Sequence, residues 1–191
     1  MKIAITGHSA GIGLSFANQL EYLGYEVIGL SRRNGYNIRS VPKVAKQIMD
    51  CDMFINNAQA GYAQTELLCE VWNLWKGNQY RYIWCIGTQM TQNPGIPDIP
   101  GLEKREILEY KLQKLALEEA VRTLRSQSTW PHITMIRPGG VATQPEQTAE
   151  YPYADPDNWT KTVVDLIALA SNRNLNLREI TLGSGKDTIV L

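Results

Sequence analysis

Short apolar runs alternate with segments of helical periodicity along the whole chain. The apolar runs, which predict strands, lie at 2–6, 25–30, 52–56, 81–87, 132–138 and 178–183. Apolar residues three or four positions apart predict helices over 12–23, 41–49, 106–125 and 155–171. Several strands are apolar throughout rather than at alternate positions, which is typical of parallel strands covered on both faces. The pattern therefore predicts an α/β fold built on a doubly wound parallel sheet.

Two long segments, 88–101 and 143–154, carry no regular pattern. Each follows the C-terminal end of a predicted strand, where open α/β sheets bind ligands. Loops of that length are uncommon inside a domain and are often functional. We expect residues 1–191 to form a single domain in which loops at about 88–106 and 143–157 select the substrate.

Composition narrows the classes of function. The chain has 191 residues, and its 19 basic residues balance 19 acidic ones, so neither a nucleic-acid-binding face nor a membrane anchor is expected. The cysteines (Cys51, Cys69 and Cys85) lack metal-ligand spacing and predict reduced thiols. With only two histidines, no metal site is expected. The first strand starts too early to leave room for a signal peptide, so we expect a cytoplasmic protein.

Three glycines follow the first predicted strand in the stretch TGHSAGIG (6–13). In a strand–turn–helix unit, glycines let the backbone turn tightly and let a phosphate approach the positive end of the helix. The residues expected to hold a dinucleotide pyrophosphate are Gly7, Ser9, Gly11, Ile12 and Gly13. The motif predicts a Rossmann-like fold, although a tight turn without a ligand also explains it.

The end of the second strand reads GLSRRN. Many dinucleotide-binding folds place an acidic residue there to bind ribose hydroxyls. Here Ser31 takes that position, and Arg32 and Arg33 follow it. A guanidinium group pairs well with a 2′-phosphate, so we expect NADP(H) rather than NAD(H) as the cofactor. The alternative is that both arginines are simply solvated in a surface turn.

Four motifs together resemble those of the short-chain dehydrogenase/reductase family. They are TGHSAGIG (6–13), INNAQ (55–59), EYKLQK (109–114) and RPGGVAT (137–143), and they occur in the order that the family has. The resemblance spans most of the chain. It implies an oxidoreductase that transfers a hydride between a nicotinamide cofactor and a small carbonyl or alcohol substrate.

Tyr110 and Lys114 are four residues apart and therefore lie on one helix face. A nearby ammonium group lowers the pKa of a phenol, which is about 10 in isolation. Tyr110 is thus expected to act as the general acid or base at the substrate oxygen. The resemblance implies that Lys114 also binds the nicotinamide ribose. An incidental surface pair on a charged helix is the alternative.

The resemblance implies two further catalytic residues. The family has a serine at the end of the strand before this helix, and Thr88 stands there with its hydroxyl retained. The family also has an asparagine whose backbone carbonyl holds a water in the proton relay, and Asn73 is the candidate. The short spacing around Asn73 predicts a truncated helix. Since that helix often forms an oligomer interface in the family, any homo-oligomer is expected to use a non-standard interface.

The remaining contacts to the cofactor are also implied by the resemblance. Asn57 and Ala58 match the strand-end turn beside the cofactor, and Asn37 and Ile38 match a pair that packs against adenine. Pro138, Gly139 and Thr143 match the segment that borders the nicotinamide, with Thr143 reaching the carboxamide. Two departures are Gln59, in place of a glycine, and Gln113, in place of a small serine.

These features predict an NADP(H)-dependent carbonyl reductase. Two alternatives stay open. A non-catalytic NADP(H)-binding sensor or scaffold would explain Gln59, Gln113 and the replacement of serine by Thr88. A sugar-nucleotide epimerase or dehydratase shares the Tyr–Lys spacing, but such relatives usually carry a larger C-terminal substrate domain than the residues after 140 would form.

Overall fold

The protein is described by a computed structural model over residues 1–99, 101–143, 153–173 and 175–183. Its strands are β1 (Lys2–Thr6), β2 (Glu26–Leu30), β3 (Met53–Asn56), β4 (Tyr82–Ile86), β5 (His132–Pro138) and β6 (Glu179–Leu182). Its helices are α1 (Gly11–Tyr22), α2 (Val41–Ile48), α3 (Ala63–Trp75), α4 (Lys104–Gln127) and α5 (Pro156–Asn172). Short 3-10 turns follow β2 at Arg32–Asn34 and β4 at Gln89–Gln92.

The strands form one parallel sheet in the order β2-β1-β3-β4-β5-β6. Ile3 of β1 lies between Val27 of β2 and Met53 of β3. From β1 the chain therefore winds outward in two directions, and a crevice opens at the carboxyl ends of β1 and β3. The predicted α/β fold with a Rossmann-like, doubly wound parallel sheet is confirmed.

The core has two layers because the strands bury side chains on both faces. In β3, Phe54 packs among α2, α3 and α4, whereas Met53 and Ile55 pack against α1 and α5. On the second face Phe16 meets Trp84 and Trp159 edge to face, with ring centroids 5.9 and 6.2 Å apart. The rigid sheet edge between these layers carries the residues discussed below.

The helix between β3 and β4 has 13 residues and ends at Trp75. It starts at the carboxyl edge of the sheet and runs back towards the amino ends of the strands, as the parallel connection from β3 to β4 requires. Its first turn therefore lies near the crevice and its last turn lies away from it. Within the described residues, no helix is both long and apolar enough to cross a bilayer.

Candidate active site

A cleft of about 890 Å³ opens beside the turn between β1 and α1. Twelve residues that the sequence predicted as cofactor contacts line it: Gly7, Ser9, Gly11, Ile12, Ser31, Arg32, Arg33, Asn37, Ile38, Asn57, Ala58 and Thr143. The lining that the sequence did not predict includes Tyr36, Arg39, Gln59 and Gly61. Gly13 lies outside the lining, directly behind Gly7. The volume matches that of small-molecule sites in general.

The glycine turn exposes the start of α1 to the cleft. Gly7 has φ 73°, which favours glycine, and a Cβ at Gly13 would collide with the Gly7 carbonyl oxygen. No side chain caps α1 at Ala10, and its first turn carries no acidic residue. The free N–H groups and the positive helix end can therefore hold an anion such as a pyrophosphate.

The ends of β1 and β3 are joined through Thr6 and Asn57. The Thr6 hydroxyl accepts hydrogen bonds from the backbone N–H groups of Asn57 and Ala58, at 3.0 and 3.1 Å. The Asn57 side-chain amide donates to the Thr6 carbonyl at 3.0 Å. These bonds hold the strand-end turn beside the glycine turn.

Three arginines give the cleft a positive charge. Arg32, Arg33 and Arg39 line it, and none of the described lining residues is acidic. Arg33 donates to the Ser9 carbonyl at 3.1 Å, which draws its guanidinium group over the glycine turn. Ser31 is 7% exposed and donates to the Asn34 side chain, so its hydroxyl serves the 3-10 turn. The arrangement suits a ligand with several phosphates.

Ile38 and Asn37 form the outer wall of the cleft. Ile38 is buried and packs into the core beneath α2 and α3, while Asn37 is exposed and its side-chain oxygen accepts from the Arg39 backbone N–H at 3.1 Å. The wall thus presents an apolar floor and a polar rim. The predicted contact of both residues with adenine stays a prediction.

Thr88 and Tyr110 meet at the carboxyl end of β4. Thr88 is 9% exposed, and its hydroxyl accepts from the Met90 backbone N–H at 3.3 Å. A hydrogen bond from this hydroxyl to Tyr110 lowers the pKa of the phenol, but burial raises that pKa more strongly, above its ordinary value. The phenol is thus held protonated at neutral pH, next to a second hydroxyl.

Lys114 lies on the same face of α4 and is 3% exposed. Its Nζ donates to the Gln64 side-chain oxygen and to the Ile86 carbonyl, each at 2.9 Å, and lies 5.6 Å from the ring centroid of Tyr110. Burial lowers the pKa of Lys114 to about 8. The sequence-based expectation that this ammonium makes the Tyr110 phenol acidic is therefore wrong for this structure: the ammonium faces Gln64 and Ile86, and burial dominates the phenol.

Asn73, the expected member of the proton relay, lies elsewhere. It is exposed in the last turn of α3, at the end of the helix that faces away from the cleft. Gln64, in the first turn of the same helix, is the residue that reaches Lys114. The sequence motif led to a candidate in the last turn of α3, whereas the first turn is the one that reaches Lys114. The reason is that α3 begins only seven residues after Asn56. No sequence signal marked Gln64, since its partner is 50 residues away.

The segment after β5 closes the other side of the site. Pro138 is buried, and the Gly139 N–H donates to the Leu182 carbonyl at 2.8 Å. Thr143 lies beside Gly11, where an added Cβ would be 3.1 Å from Thr143. The expected contact of Thr143 with the carboxamide stays a prediction, and residues 144–152 of the expected substrate loop lie outside the described residues.

The two departures from the family pattern contact each other. The Gln59 side-chain amide donates to the Gln113 side-chain oxygen, which links the turn after β3 to α4 beside Lys114. Each glutamine thus fills space that smaller residues would leave open. Among the described residues, no group of His, Cys, Asp and Glu is arranged to hold a metal ion.

The sequence and the fold were compared with those of known proteins. No family model matches the sequence, and no curated protein matches it. Among solved structures, an alcohol dehydrogenase from Thermococcus sibiricus complexed with 5-hydroxy-NADP is 16% identical with a TM-score of 0.71, and the match covers 100% of this chain and 99% of that one. A 3-alpha-hydroxysteroid dehydrogenase from Pseudomonas sp. B-0831 complexed with NADH is 19% identical with a TM-score of 0.69, over 98% and 97% of the two chains.

A short-chain dehydrogenase from Burkholderia cenocepacia J2315 in complex with NADP is 16% identical with a TM-score of 0.73, over 95% of this chain and 87% of that one. At these identities the likeness concerns the fold. The resemblance that the four sequence motifs indicated is confirmed at that level. The chain therefore has the fold that short-chain dehydrogenases and reductases share.

Proposed function

We propose that the protein is an NADP(H)-dependent oxidoreductase that reduces a ketone or aldehyde to an alcohol. The observation that carries the proposal is the hydroxyl pair of Thr88, at the carboxyl end of β4, and Tyr110, which shares one face of α4 with the buried Lys114. A bound nicotinamide would supply the hydride. The chain's own residues supply orientation and the proton.

Tyr110 is assigned the role of proton donor. Its phenol, whose pKa burial raises above the ordinary value, is protonated at neutral pH and can donate to a substrate oxygen that gains negative charge. Thr88 holds the same oxygen by a second hydrogen bond. Lys114 contributes a fixed ammonium group, and its remaining N–H is available to ribose hydroxyls because two of its three donors serve Gln64 and Ile86.

The phosphate form of the cofactor is inferred from charge. The glycine turn and the start of α1 suit the pyrophosphate, and Arg32 with Arg33 at the end of β2 suit a 2′-phosphate. Arg39 adds a third positive charge to the same lining. The structural relatives carry both forms, NADP in the Burkholderia protein and NADH in the Pseudomonas protein, so this choice rests on the arginines.

The substrate loops are the segments at about 88–106 and 143–157. The first begins at Thr88, after β4, and the second begins at Thr143, after β5. We assign all of residues 1–191 to one nucleotide-binding unit with these loops as its substrate side. A small carbonyl or alcohol compound is the substrate class that the Thr88–Tyr110 pair supports.

The test is an NADPH-oxidation screen over ketones, aldehydes, quinones and acyl thioesters. Tyr110→Phe should abolish turnover of any accepted substrate while retaining NADPH binding, which nucleotide fluorescence reports. Tyr22→Phe, at a site 90% exposed on α1, is the matched control and should match the wild type. NADPH binding without turnover of any substrate would instead favour the non-catalytic sensor. A cofactor that stays bound and is recycled within each turnover would favour the epimerase or dehydratase.

A further inference from the structure

Gln64 occupies a polar site that is closed to solvent. The side chain is 2% exposed in the first turn of α3. Its oxygen accepts from Lys114 Nζ at 2.9 Å, and its Nε2 donates to the carbonyls of Asn56 and Ile86, at 2.7 and 3.1 Å. The Asn56 side chain returns a bond of 2.9 Å to the Gln64 backbone carbonyl.

These partners fix which way the amide faces. Reversing it would aim its two N–H donors at the Lys114 ammonium and its oxygen at the carbonyls of Asn56 and Ile86. Every one of those contacts would pair like with like, and a buried polar group without a partner costs about 1–3 kcal/mol. The surroundings therefore dictate that the Gln64 oxygen faces Lys114.

We propose that Gln64 is the positioning residue for Lys114, whose ammonium it holds directly through its side-chain oxygen. It acts where the sequence led us to expect a water held by the backbone carbonyl of Asn73. The inference rests on the proposed function for its catalytic consequence. The geometry itself joins the ends of β3 and β4 to α4 through one side chain.

The electrostatic setting of Lys114 makes the proposal measurable. The titratable groups that act on Lys114 are Cys85 from β4 and Glu118 from α4, with the Tyr110 ring 5.6 Å from Nζ. Among the described residues of α3, the one that hydrogen-bonds to Lys114 is Gln64, which carries no charge. Removing that acceptor should lower the pKa of Lys114 below about 8, and placing a carboxylate there should raise it.

The first experiment compares Gln64→Met and Gln64→Glu in NADPH-dependent reduction across pH. Gln64→Met removes one hydrogen bond to a charged group, so kcat/KM at pH 7 should fall about 10- to 100-fold. The alkaline limb of its pH profile should move to lower pH, because Lys114 loses its proton earlier. Gln64→Glu keeps the acceptor for Lys114 but turns a second oxygen towards the carbonyls of Asn56 and Ile86, so it should recover part of the activity and move the same limb to higher pH. Gln127→Met, the same substitution at the exposed end of α4, is the control.

The second experiment needs no turnover and therefore separates this inference from the proposed function. The pKa of Lys114 is about 8 in the folded protein against an ordinary 10.5, so the unfolded chain binds more protons between these values and stability rises with pH there. Urea unfolding across pH 6–11 should show this contribution in the difference between each variant and the wild type, because Cys85 and Tyr110, whose pKa values burial raises, make stability fall with pH over part of the same range. In Gln64→Met the rise should begin at lower pH, and in Gln64→Glu it should begin at higher pH.

Opposite shifts in the two variants would support the proposal, since loss of packing alone cannot move a proton equilibrium in both directions. Identical pH profiles and identical stability curves in wild type and both variants would overturn it, even if the enzyme is active. If the wild type reduces no carbonyl compound but the stability curves shift as expected, the proposed function fails and the contact between Gln64 and Lys114 stands.

Discussion

Replacing Arg137 by methionine should destabilise the protein more than replacing Glu118 by glutamine. Both side chains are 8% exposed, and they form a bidentate pair with N–O distances of 2.9 and 2.8 Å. Arg137 has a second partner in Glu179 at 2.8 Å, whereas Glu118 has only the Thr91 hydroxyl among its other described hydrogen bonds. The two losses are therefore unequal.

The magnitudes follow from what each substitution leaves behind. Without Arg137, the Glu118 carboxylate is buried with one hydroxyl donor, and an unpaired buried charge of this kind costs about 3–5 kcal/mol. In Glu118→Gln, the side-chain oxygen still accepts one bond and Glu179 still pairs with Arg137, so the loss is nearer the 1.5–3 kcal/mol of one bond to a charged group. At roughly 2–4 °C per kcal/mol for a chain of this size, Arg137→Met should lower Tm by about 6–20 °C.

The assay is urea unfolding at pH 7 followed by circular dichroism, with the double variant Arg137→Met/Glu118→Met completing a cycle. The double variant should lose much less than the sum of Arg137→Met and Glu118→Met, because it leaves no buried charge unpaired. Arg105→Met breaks the exposed pair with Glu109 and should change stability by less than about 0.5 kcal/mol. A loss below about 1 kcal/mol in Arg137→Met, or strict additivity in the cycle, would refute the reasoning.

Two further predictions concern ligands. Arg33→Ala should weaken NADPH binding about tenfold or more and change NADH binding much less, because a 2′-phosphate loses a charge-assisted bond; equal losses for both nucleotides in fluorescence titrations would contradict the inferred cofactor. Lys111→Met should raise KM for the carbonyl substrate more than it lowers kcat. The reason is that the buried Lys111 ammonium holds the backbone carbonyls of Asn93 and Gly95 in the loop after Thr88. An unchanged KM in steady-state kinetics would show that this loop does not contribute to substrate binding.

The sheet could be predicted from the sequence because its signals are local. Residues 53–55 are apolar throughout, and the structure shows the reason: Phe54 faces one helix layer and Ile55 the other. The glycine turn was also local, since Gly7, Gly11 and the start of α1 are neighbours in sequence and their geometry follows from steric limits on φ. These elements carry most of the nucleotide cleft.

The residues in the interior of the site could not be predicted from local sequence patterns. Asn73 was assigned from the residues that flank it in the sequence. The bounds of α3 decide which residue reaches the crevice, however, and a single sequence encodes helix boundaries only weakly. Gln64, Lys111 and Arg137 look like ordinary polar residues of a surface helix or a strand end. Their roles depend on partners at long sequence distance, as with Glu118 and Arg137, 19 residues apart.

Burial accounts for the remaining difference between sequence and structure, and it changes the chemistry inferred for the site. Spacing alone put the Lys114 ammonium next to the Tyr110 phenol and predicted an acidic phenol. Partial burial raises the pKa of Tyr110, and full burial lowers that of Lys114 to about 8. A phenol that stays protonated beside Thr88 fits the role of proton donor in the proposed carbonyl reduction. Raising the pH should therefore favour oxidation, as Tyr110 begins to lose its proton.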